Sequence, residues 1–249
     1  MLTEERFKLI LHEINQKRAV TVTELVKLLN TSESTIRRDL NALHNMGKLV
    51  KVHGGATALD NDYTTEEDDV NHKHLMNVDD KEKVSRYAAS LIEENDFVYI
   101  DAGTTTEMII EYITEKRATY VTNGIVHAKK LIQKQCNVYI IGGELKLATE
   151  AIVGAEAINS LRKYNFTKGF FGTNGISKDA GYSTPDVKEA LVKEEAMKKS
   201  KNAYILADPT KFNKISSVTF GELNRATIIT TALGEDKYKG LTEIVEVDK

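Results

Sequence analysis

The sequence predicts an α/β protein in two parts: a small helical N-terminal part and a larger C-terminal part built on a mostly parallel sheet. The first 57 residues combine helical periodicity with a β-prone stretch that ends in a glycine pair. From residue 81 onward, short apolar runs alternate with amphipathic stretches, the pattern of a parallel sheet covered on both faces. We therefore expect one domain over residues 1–57, a linker over 58–80 and a second domain over 81–249.

The N-terminal part is predicted to form three helices and a β hairpin. A first amphipathic helix is expected to end near residues 15–18, and a second is expected over 24–29 with Thr23 as its cap. After the third helix, Gly47 provides a left-handed stop, and residues 49–55 form a strand and a tight turn. Three helices followed by a β hairpin are the element order of a winged helix-turn-helix.

The third helix has the composition of a helix that binds DNA. Ser32 and Ser34 are both possible N-caps, and apolar residues recur at positions 36, 40 and 43, so that face is buried and the face with Arg37 and Arg38 is free. The predicted DNA contacts are Ser32, Glu33, Ser34, Thr35, Arg37 and Arg38 on the helix and Lys48, Lys51 and His53 in the wing. The alternatives are a small helical domain with a charged solvent face, or a winged helix that binds protein.

Charge is unevenly distributed along the chain. The formal net charge is −3. Residues 1–57 hold nine Lys and Arg against six Asp and Glu, a charge of +3, whereas residues 58–80 hold one Lys against eight Asp and Glu, a charge of −7. DNA affinity depends on where positive charge lies, so this distribution is compatible with a DNA-binding head. The acidic stretch has few apolar anchors and is predicted to be a solvated hinge, with a DNA mimic as the alternative.

The C-terminal part is predicted to alternate helices and strands. Helices are expected over 83–93, 104–113, 127–133, 155–161 and 188–200, and strands over 97–100, 119–123, 138–141, 168–172, 203–207 and 227–230. Ligands of open α/β sheets bind at the carboxyl ends of the strands, beside helix N-termini. The loops that follow these strands are therefore the candidate binding site.

Three of these loops are rich in glycine, hydroxyl or charged residues: 103–106, 172–175 and 207–211. A glycine turn before a helix is usually only a turn, but together the loops indicate a sugar-phosphate pocket. We expect the phosphate at residues 104–106, assisted by Lys211, and Lys193 as a second candidate cation. The candidate ligand-binding residues are Asp101, Gly103, Thr104, Thr105, Thr106, Asn123, Gly142, Gly143, Asn174, Lys193, Asp208 and Lys211.

Specific motifs carry a resemblance to a known family. Arg6, the run Ser32-x-x-Thr35-Ile36-Arg37-Arg38-Asp39 and the run Val52-His53-Gly54-Gly55-Ala56 resemble the DNA-binding module of the DeoR family of bacterial repressors. Residues 81–231 resemble the sensor domain of that family, which is similar in fold to sugar-phosphate isomerases and to glucosamine-phosphate deaminase. The resemblance implies a DNA-binding repressor that senses a phosphorylated sugar.

One departure from the enzymes bears on activity. Where the deaminases have a Gly-x-Asp-Gly loop, this sequence has Gly172-Thr173-Asn174-Gly175, and Ile176 stands where an imidazole is expected. The amide of Asn174 cannot accept a proton as a carboxylate does, so the resemblance implies binding without turnover and no catalytic residues. A sugar-phosphate isomerase or deaminase with an accessory DNA-binding domain remains the alternative.

Motifs at 101–107, 172–176 and 181–186 are similar to those of family members that control fructose utilisation, which implies fructose 1-phosphate as the effector. The expected partners are double-stranded operator DNA and this sugar phosphate, and no cofactor is expected. Because operators are repeated half-sites, we also expect a homodimer or homotetramer assembled through the C-terminal domain.

Composition narrows the remaining classes of site. The single cysteine, Cys136, excludes a disulfide framework and a cysteine-cluster metal site, and its apolar context predicts a buried, inert thiol. No metal site is expected. His72, His74 and His127 are expected at the surface. No apolar run is long enough to span a bilayer, and the first residues lack a signal-peptide core, so we expect a cytoplasmic protein without membrane contact.

Overall fold

The chain divides into two compact units, Met1–Asn61 and Asp62–Lys249. A computed structural model describes residues 3–17, 19–58, 63–64, 70–233 and 238–247. The predicted linker therefore lies partly outside the described residues.

The first unit is a three-helix core closed by a small antiparallel sheet. Its elements are α1 (Thr3–Lys17), β1 (Ala19–Thr21), α2 (Val22–Leu29), α3 (Glu33–Asn45), β2 (Val50–Val52) and β3 (Gly55–Thr57). β3 lies between β1 and β2 and is antiparallel to both. The apolar stripe predicted for α3 is buried, with Ile36 and Leu40 in one core cluster with Ile10 and Leu25. This is the predicted winged helix-turn-helix.

The second helix begins earlier than the sequence predicted, and its N-cap is Thr21 rather than Thr23. The N–H of Glu24 donates to Thr21 Oγ1 at 3.2 Å, and the N–H of Thr21 donates to Glu24 Oε2 at 2.7 Å. This reciprocal capping box starts the helix at Val22. The side chain of Val22 is buried in the helical core.

The second unit begins with β4 (Tyr63–Thr64), α4 (Val70–Leu75), α5 (Val78–Ser90), β5 (Phe97–Ile100), α6 (Thr104–Tyr112), β6 (Thr119–Thr122), α7 (Ile125–Gln133) and β7 (Asn137–Ile140). It continues with β8 (Glu144–Lys146), β9 (Ala151–Val153), α8 (Ala155–Leu161), β10 (Phe166–Gly172), β11 (Gly175–Ser177), β12 (Gly181–Thr184) and α9 (Val187–Lys198). The last elements are β13 (Ser200–Leu206), β14 (Ile215–Ser216), β15 (Val218–Gly221), β16 (Thr227–Thr230) and β17 (Ile244–Glu246), with short 3₁₀ helices at Pro209–Lys211 and Leu223–Arg225.

Seven strands form one sheet in the order β17-β16-β13-β10-β5-β6-β7, and every neighbouring pair is parallel. Alternate residues of β5 face opposite layers. Tyr99 lies in a core cluster with residues of α8 and α9, whereas Val98 and Ile100 lie in a second cluster with residues of α5, α6 and α7. Helices therefore cover both faces, as the apolar strands predicted.

Several short elements were not predicted. β8 and β9 form an antiparallel hairpin, β11, β12 and β15 form a small antiparallel sheet, and β17 is an edge of the main sheet. These strands are three or four residues long, and some begin with a glycine, such as Gly181 of β12, which has a φ of +65°. Runs this short carry little periodicity, so the sequence indicated turns and loops there.

The stretch predicted as a linker is partly folded. α4 and the start of α5 lie within residues 70–80, and α5 begins at Val78 rather than at residue 83. β4 pairs in parallel with β14. The prediction of a continuous hinge over residues 58–80 is therefore wrong for these segments, because acidic composition concealed helices that are only half-buried.

Cys136 is only half-buried, not fully buried as predicted, and desolvation raises the pKa of its thiol. No helix in the described part of the chain has both the length and the apolar character of a membrane span.

Candidate functional site

Hydroxyl groups cap the start of α3 and bond to one another. Ser32 Oγ accepts from the backbone N–H of Thr35 at 3.2 Å, which makes Ser32 rather than Ser34 the N-cap. The same Oγ lies 3.0 Å from Ser34 Oγ and 2.8 Å from Thr35 Oγ1. Thr35 is half-buried and bonded within the cap, so Ser32 and Ser34 are the more accessible hydroxyls.

Both arginines of α3 are exposed. Arg37 Nη2 lies 2.6 Å from Glu33 Oε1, and the two side chains are 51% and 62% exposed. Such a pair contributes only about 0.3–0.5 kcal/mol, so an external anion can replace Glu33. The guanidinium of Arg38 has no hydrogen-bond or ionic partner among the residues that the structure describes. Arg38 is therefore the cation of α3 most available to a ligand.

A buried ion pair fixes α3 against α1. Arg6 Nε lies 2.5 Å from Asp39 Oδ2 and Arg6 Nη2 lies 3.1 Å from Asp39 Oδ1, which gives a two-pronged contact. Asp39 is only 4% exposed, and the carboxylate raises the pKa of Arg6 mainly through the hydrogen bond. This contact gives a structural reason for the Arg6 and Asp39 of the motif: they set the orientation of the helix that carries Arg38.

The wing presents cations beside the same helix. Lys48, Lys51 and His53 are all exposed, and Lys51 Nζ donates to Asn41 Oδ1 of α3 at 2.6 Å. The first residue of β3 must be glycine, because a Cβ on Gly55 would lie 2.1 Å from the carbonyl oxygen of Val20 in β1. α3 and the wing together thus form one positively charged surface.

In the second unit, a pocket opens at the carboxyl ends of β5, β10 and β13. It is lined by Val70, Lys73, Met76, Asn77, Lys81, Ala102, Gly103, Thr104, Thr105, Glu107, Val126, His127, Thr149, Glu150, Gly172, Thr173, Asn174, Glu189, Lys193, Asp208 and Lys211. Four lysines and the N-terminus of α6 face this space. The pocket lies where parallel α/β sheets bind ligands.

A buried ion pair forms the floor of this pocket. Lys193 Nζ contacts Asp101 Oδ2, and it donates to the carbonyl oxygen of Gly172 at 3.2 Å. Asp101 Oδ2 also accepts from the N–H of Gly172 at 3.1 Å. The Lys193 and Asp101 side chains are 7% and 2% exposed, so the pair ties α9 to the ends of β5 and β10.

Lys81 belongs to α5, but its side-chain ammonium lies at the N-terminus of α6. Its Nζ donates to Thr104 Oγ1 at 3.2 Å and contacts the carbonyl oxygen of Lys73. Burial lowers the pKa of Lys81 to about 8, assisted by the charges of Lys211 and Lys73 and opposed by Asp208. The first N–H groups of α6, at residues 104–106, have no acceptor within the helix. An ammonium and free N–H groups that converge in this way can hold an anion.

Lys211 reaches the same pocket from the opposite loop. It ends the 3₁₀ helix that begins after Asp208, whose carboxylate accepts from the N–H of Thr210 at 3.0 Å. Thr210 Oγ1 in turn accepts from Asn77 of the α5 N-cap at 3.3 Å. Among the described residues, the Lys211 ammonium has no hydrogen-bond or ionic partner.

His127 is buried beneath the α6 loop, whereas the sequence predicted a surface position. It is 4% exposed, and its Nε2 lies 3.2 Å from the carbonyl oxygen of Gly103 and 3.4 Å from Thr106 Oγ1. Desolvation lowers the pKa of His127 to about 4, so the ring is neutral at neutral pH. The surface prediction was wrong because the start of α7 faces the pocket.

The opposite wall presents an amide and a carboxylate. Asn174 Oδ1 accepts from Thr184 Oγ1 at 3.2 Å, which turns the amide NH₂ away from that bond. Glu189 Oε1 accepts from Thr149 Oγ1 at 2.7 Å and from Lys146 Nζ at 3.0 Å. These polar groups are suited to sugar hydroxyls.

The structure brings most of the predicted ligand residues together. Gly103, Thr104, Thr105, Asn174, Lys193, Asp208 and Lys211 line the pocket. Asp101 and Thr106 lie buried beneath it, and Asn123 is also buried, where its Oδ1 accepts from Tyr99 Oη and from the N–H of Ala102.

Gly142 and Gly143 do not line this pocket. They join β7 to β8 at an exposed turn. They were predicted as ligand-binding residues, whereas here they precede the first strand of the β8–β9 hairpin.

Sequence reasoning missed several pocket residues. Lys73 and Lys81 fell at the supposed linker and domain boundary, and His127 was assigned to the surface. Thr149 lay in no motif, and Glu189 was not predicted to bind the ligand. The signal that could have identified Lys81 is its position at the start of an amphipathic helix that precedes the first strand of the sheet.

Comparison with known proteins gives concordant matches over both units. Residues 6–62 match the DeoR-like helix-turn-helix domain, and residues 76–232 match the DeoR C terminal sensor domain. The uncharacterised HTH-type transcriptional regulator FruR of Bacillus subtilis (strain 168) is 45% identical over 253 residues, with 100% of each chain covered. The lactose phosphotransferase system repressor of Staphylococcus aureus (strain N315) is 36% identical, with 99% of each chain covered. Among solved structures, ribose 5-phosphate isomerase A of Methanocaldococcus jannaschii covers 55% of each chain at 14% identity, with a TM-score of 0.41.

Proposed function

This chain belongs to the DeoR family of helix-turn-helix transcriptional regulators, and we propose that it represses a sugar-utilisation operon until a phosphorylated sugar binds its second unit. As a member of that family it is a regulator and not an enzyme. The observation that carries the proposal is the combination of an exposed arginine face on α3 with a lysine-lined pocket at the carboxyl ends of the sheet.

The DNA surface is α3 with the wing. Arg38 enters the major groove, where an arginine can form a forked contact with guanine, and Arg37 exchanges Glu33 for a phosphate. In the wing, the side chains of Lys48, Lys51 and His53 contact the adjacent phosphates of the DNA backbone. Ser32 and Ser34 lie at the groove edge, while Thr35 contributes through the cap.

The effector phosphate binds at the N-terminus of α6. Its charge is balanced by Lys81 and Lys211, and the N–H groups of residues 104–106 donate to its oxygens. The support for this assignment is that the Lys211 ammonium has no partner among the described residues and that Lys81 already lies 3.2 Å from Thr104 Oγ1.

The sugar part extends towards Asn174, Asp208 and the Lys193–Asp101 pair. The proposed ligand is fructose 1-phosphate, which rests on the similarity of the motifs at 101–107, 172–176 and 181–186 to those of fructose-utilisation regulators. The name of the Staphylococcus aureus relative supports a phosphorylated sugar of the phosphotransferase system more generally.

Binding without turnover fits the chemistry of the pocket. Asn174 holds its amide where the related enzymes have an acid, and the neutral His127 ring is engaged by the α6 loop beneath the pocket. An isomerase or deaminase needs a group that takes and returns a proton at the sugar carbons. Glu107, Glu150, Glu189 and Asp208 also line the pocket, so the inference that the pocket senses its ligand rests on Asn174 and on the regulator family, not on a lack of carboxylates.

Release of DNA follows from linkage between the two sites. The effector weakens DNA binding only to the extent that it prefers the arrangement that does not bind DNA. A coupling of about 1–3 kcal/mol gives roughly 5–150-fold release. A homodimer or homotetramer supplies the two DNA heads that a repeated half-site requires.

The test of the effector site is a set of thermal melts of the full chain with fructose 1-phosphate, fructose 6-phosphate, glucose 6-phosphate and fructose. We expect fructose 1-phosphate to raise the melting temperature most and free fructose to leave it unchanged, because a ligand of the native state stabilises by mass action. A shift with another phosphorylated sugar alone would correct the fructose assignment. No shift with any phosphate, or consumption of the sugar in the same sample, would contradict the sensor assignment.

A further inference from the structure

The exposed edge of the main sheet carries a concentrated apolar surface. It comprises Ile132 of α7, Tyr139 and Ile140 of β7, Leu145 and Leu147 of the β8–β9 hairpin and Val187 of α9, which we call the edge surface. These side chains are 45–89% exposed and make up more than half of the large apolar side chains exposed in the described part of the second unit. Scattered exposed apolar residues need no explanation, but a contiguous group marks an interaction site.

The parts of this surface are neighbours. α7 packs on β7, Gly142 and Gly143 join β7 directly to β8, and Lys188 Nζ of α9 lies 2.6 Å from Glu144 Oε2 of β8. The elements that carry the surface therefore adjoin one another from α7 across the edge strand and the hairpin to the start of α9, with Tyr139 and Ile140 on opposite faces of β7.

The two edges of the sheet differ. At one edge all three residues of β17 are half-buried, and Ile244 and Val245 pack against the core clusters. At the other, Tyr139 and Ile140 of β7 are exposed, and no strand among the described residues pairs with the outer side of β7. An uncovered apolar edge strand promotes association with another chain, so proteins normally cover or charge it.

We propose that the edge surface is where two copies of this chain associate, with β7 and the β8–β9 hairpin at the centre of a two-fold interface. The proposal rests on the proposed function in one respect: an operator with two half-sites requires two DNA-binding units.

Size and charge favour a second copy as the occupant. The six side chains are 45–89% exposed, and with the residues around them they cover an area on the order of the ~800 Å² per partner of a standard-size interface. The surface also carries both charges side by side, in Glu144 and Lys188, whose side chains are 60% and 54% exposed. In a two-fold arrangement each carboxylate can pair with the lysine of the other copy, so the surface is self-complementary.

The same hairpin also reaches the effector pocket. Leu147 lies at its tip, and two residues later Thr149 lines the pocket and donates to Glu189. The interface and the pocket thus share one ten-residue segment, which gives effector binding a short route to the arrangement of the two copies.

The test is sedimentation velocity of the full chain and of two variants, Ile140→Glu combined with Leu147→Glu, and Leu241→Glu. Leu241 is the matched control because it is 44% exposed, against 45% for Ile140, and lies outside the edge surface. We expect the wild-type chain and the control to assemble, and the double variant to lose one level of assembly, with its dimer dissociation constant raised at least tenfold, because buried interface centres do not accept unpaired charge.

Thermal melts with and without fructose 1-phosphate accompany each variant. An unchanged melting temperature shows that the double variant is folded; if it is not, Leu147→Glu alone, at a position 89% exposed, repeats the test. Assembly of the folded variant at wild-type strength, or a wild-type chain that is monomeric, would overturn the interface. Failure of the proposed function would appear differently, as a wild-type chain that assembles but does not respond to any sugar phosphate.

Discussion

Replacing Lys81 by methionine should separate stability from effector binding. Lys81 is buried, and its pKa of about 8 lies well below the 10.5 of a free lysine. A shift of this size corresponds to at most about 3 kcal/mol of penalty on the charged form at neutral pH. The hydrogen bonds to Thr104 and to the carbonyl of Lys73 are lost in the variant, at about 1 kcal/mol each. We therefore expect the variant without ligand to gain about 1–2 kcal/mol, a rise of about 2–8 °C in melting temperature.

Effector binding should change in the opposite direction. A charge-assisted hydrogen bond to phosphate contributes about 1.5–3 kcal/mol, so the variant should bind fructose 1-phosphate roughly 10–100-fold more weakly. Lys83→Met is the matched control, because Lys83 lies on the same helix and is exposed. Lys83→Met should leave both the melting temperature without ligand and the affinity for fructose 1-phosphate nearly unchanged.

The pH dependence provides an independent measurement of the same site. Since the pKa of Lys81 is lower in the folded state, that state holds fewer protons than the unfolded state between pH 8 and 10.5, and the wild-type stability should rise relative to Lys81→Met across this window. Effector affinity should fall as pH rises through about 8, because the ammonium is lost. Urea unfolding at pH 7 and 9 measures the stability, and calorimetric titration at the same two pH values measures the effector affinity. A variant that is less stable and binds the effector at wild-type strength would refute the reasoning.

Three further substitutions test other parts of the account. Lys193→Met should destabilise the second unit by about 3–5 kcal/mol in urea unfolding, because Asp101 is left buried without its cation. The double variant that adds Asp101→Asn should recover most of that loss. A double variant as unstable as the single variant would contradict the role of this ion pair. Arg38→Ala should weaken operator binding by about 1–3 kcal/mol in an anisotropy titration with no change in melting temperature, and wild-type affinity would exclude Arg38 from the groove. Lys211→Ala should bind operator DNA normally but no longer release it with fructose 1-phosphate, and normal release would place the effector elsewhere.

Strong local patterns predicted most of the fold. The strands over 97–100 and 227–230 and the helix over 155–161 have the predicted bounds. They are apolar or amphipathic runs bounded by clear breakers, so periodicity alone is informative. The hairpin of β8 and β9 and the small sheet of β11, β12 and β15 depend on cross-strand pairing between short runs, which no local pattern reveals.

The pocket was predictable only in part. Loops after strands identified residues 103–106, Asn174 and Lys211, since the carboxyl ends of parallel strands meet at one edge. Lys81 and His127 are brought to the same place by helix packing, and neither lies in a motif. Their perturbed pKa values also result from burial, which the sequence does not specify residue by residue.

The most direct test of the central claim is the effect of the effector on a preformed protein–DNA complex. Operator DNA selected by the protein from its own genome is labelled, bound at fixed salt and titrated with fructose 1-phosphate while fluorescence anisotropy is recorded. We predict a 5–150-fold loss of operator affinity at saturating sugar phosphate and none with free fructose. Unchanged operator affinity in the presence of every phosphorylated sugar that binds the chain would contradict a repressor relieved by its sensor domain.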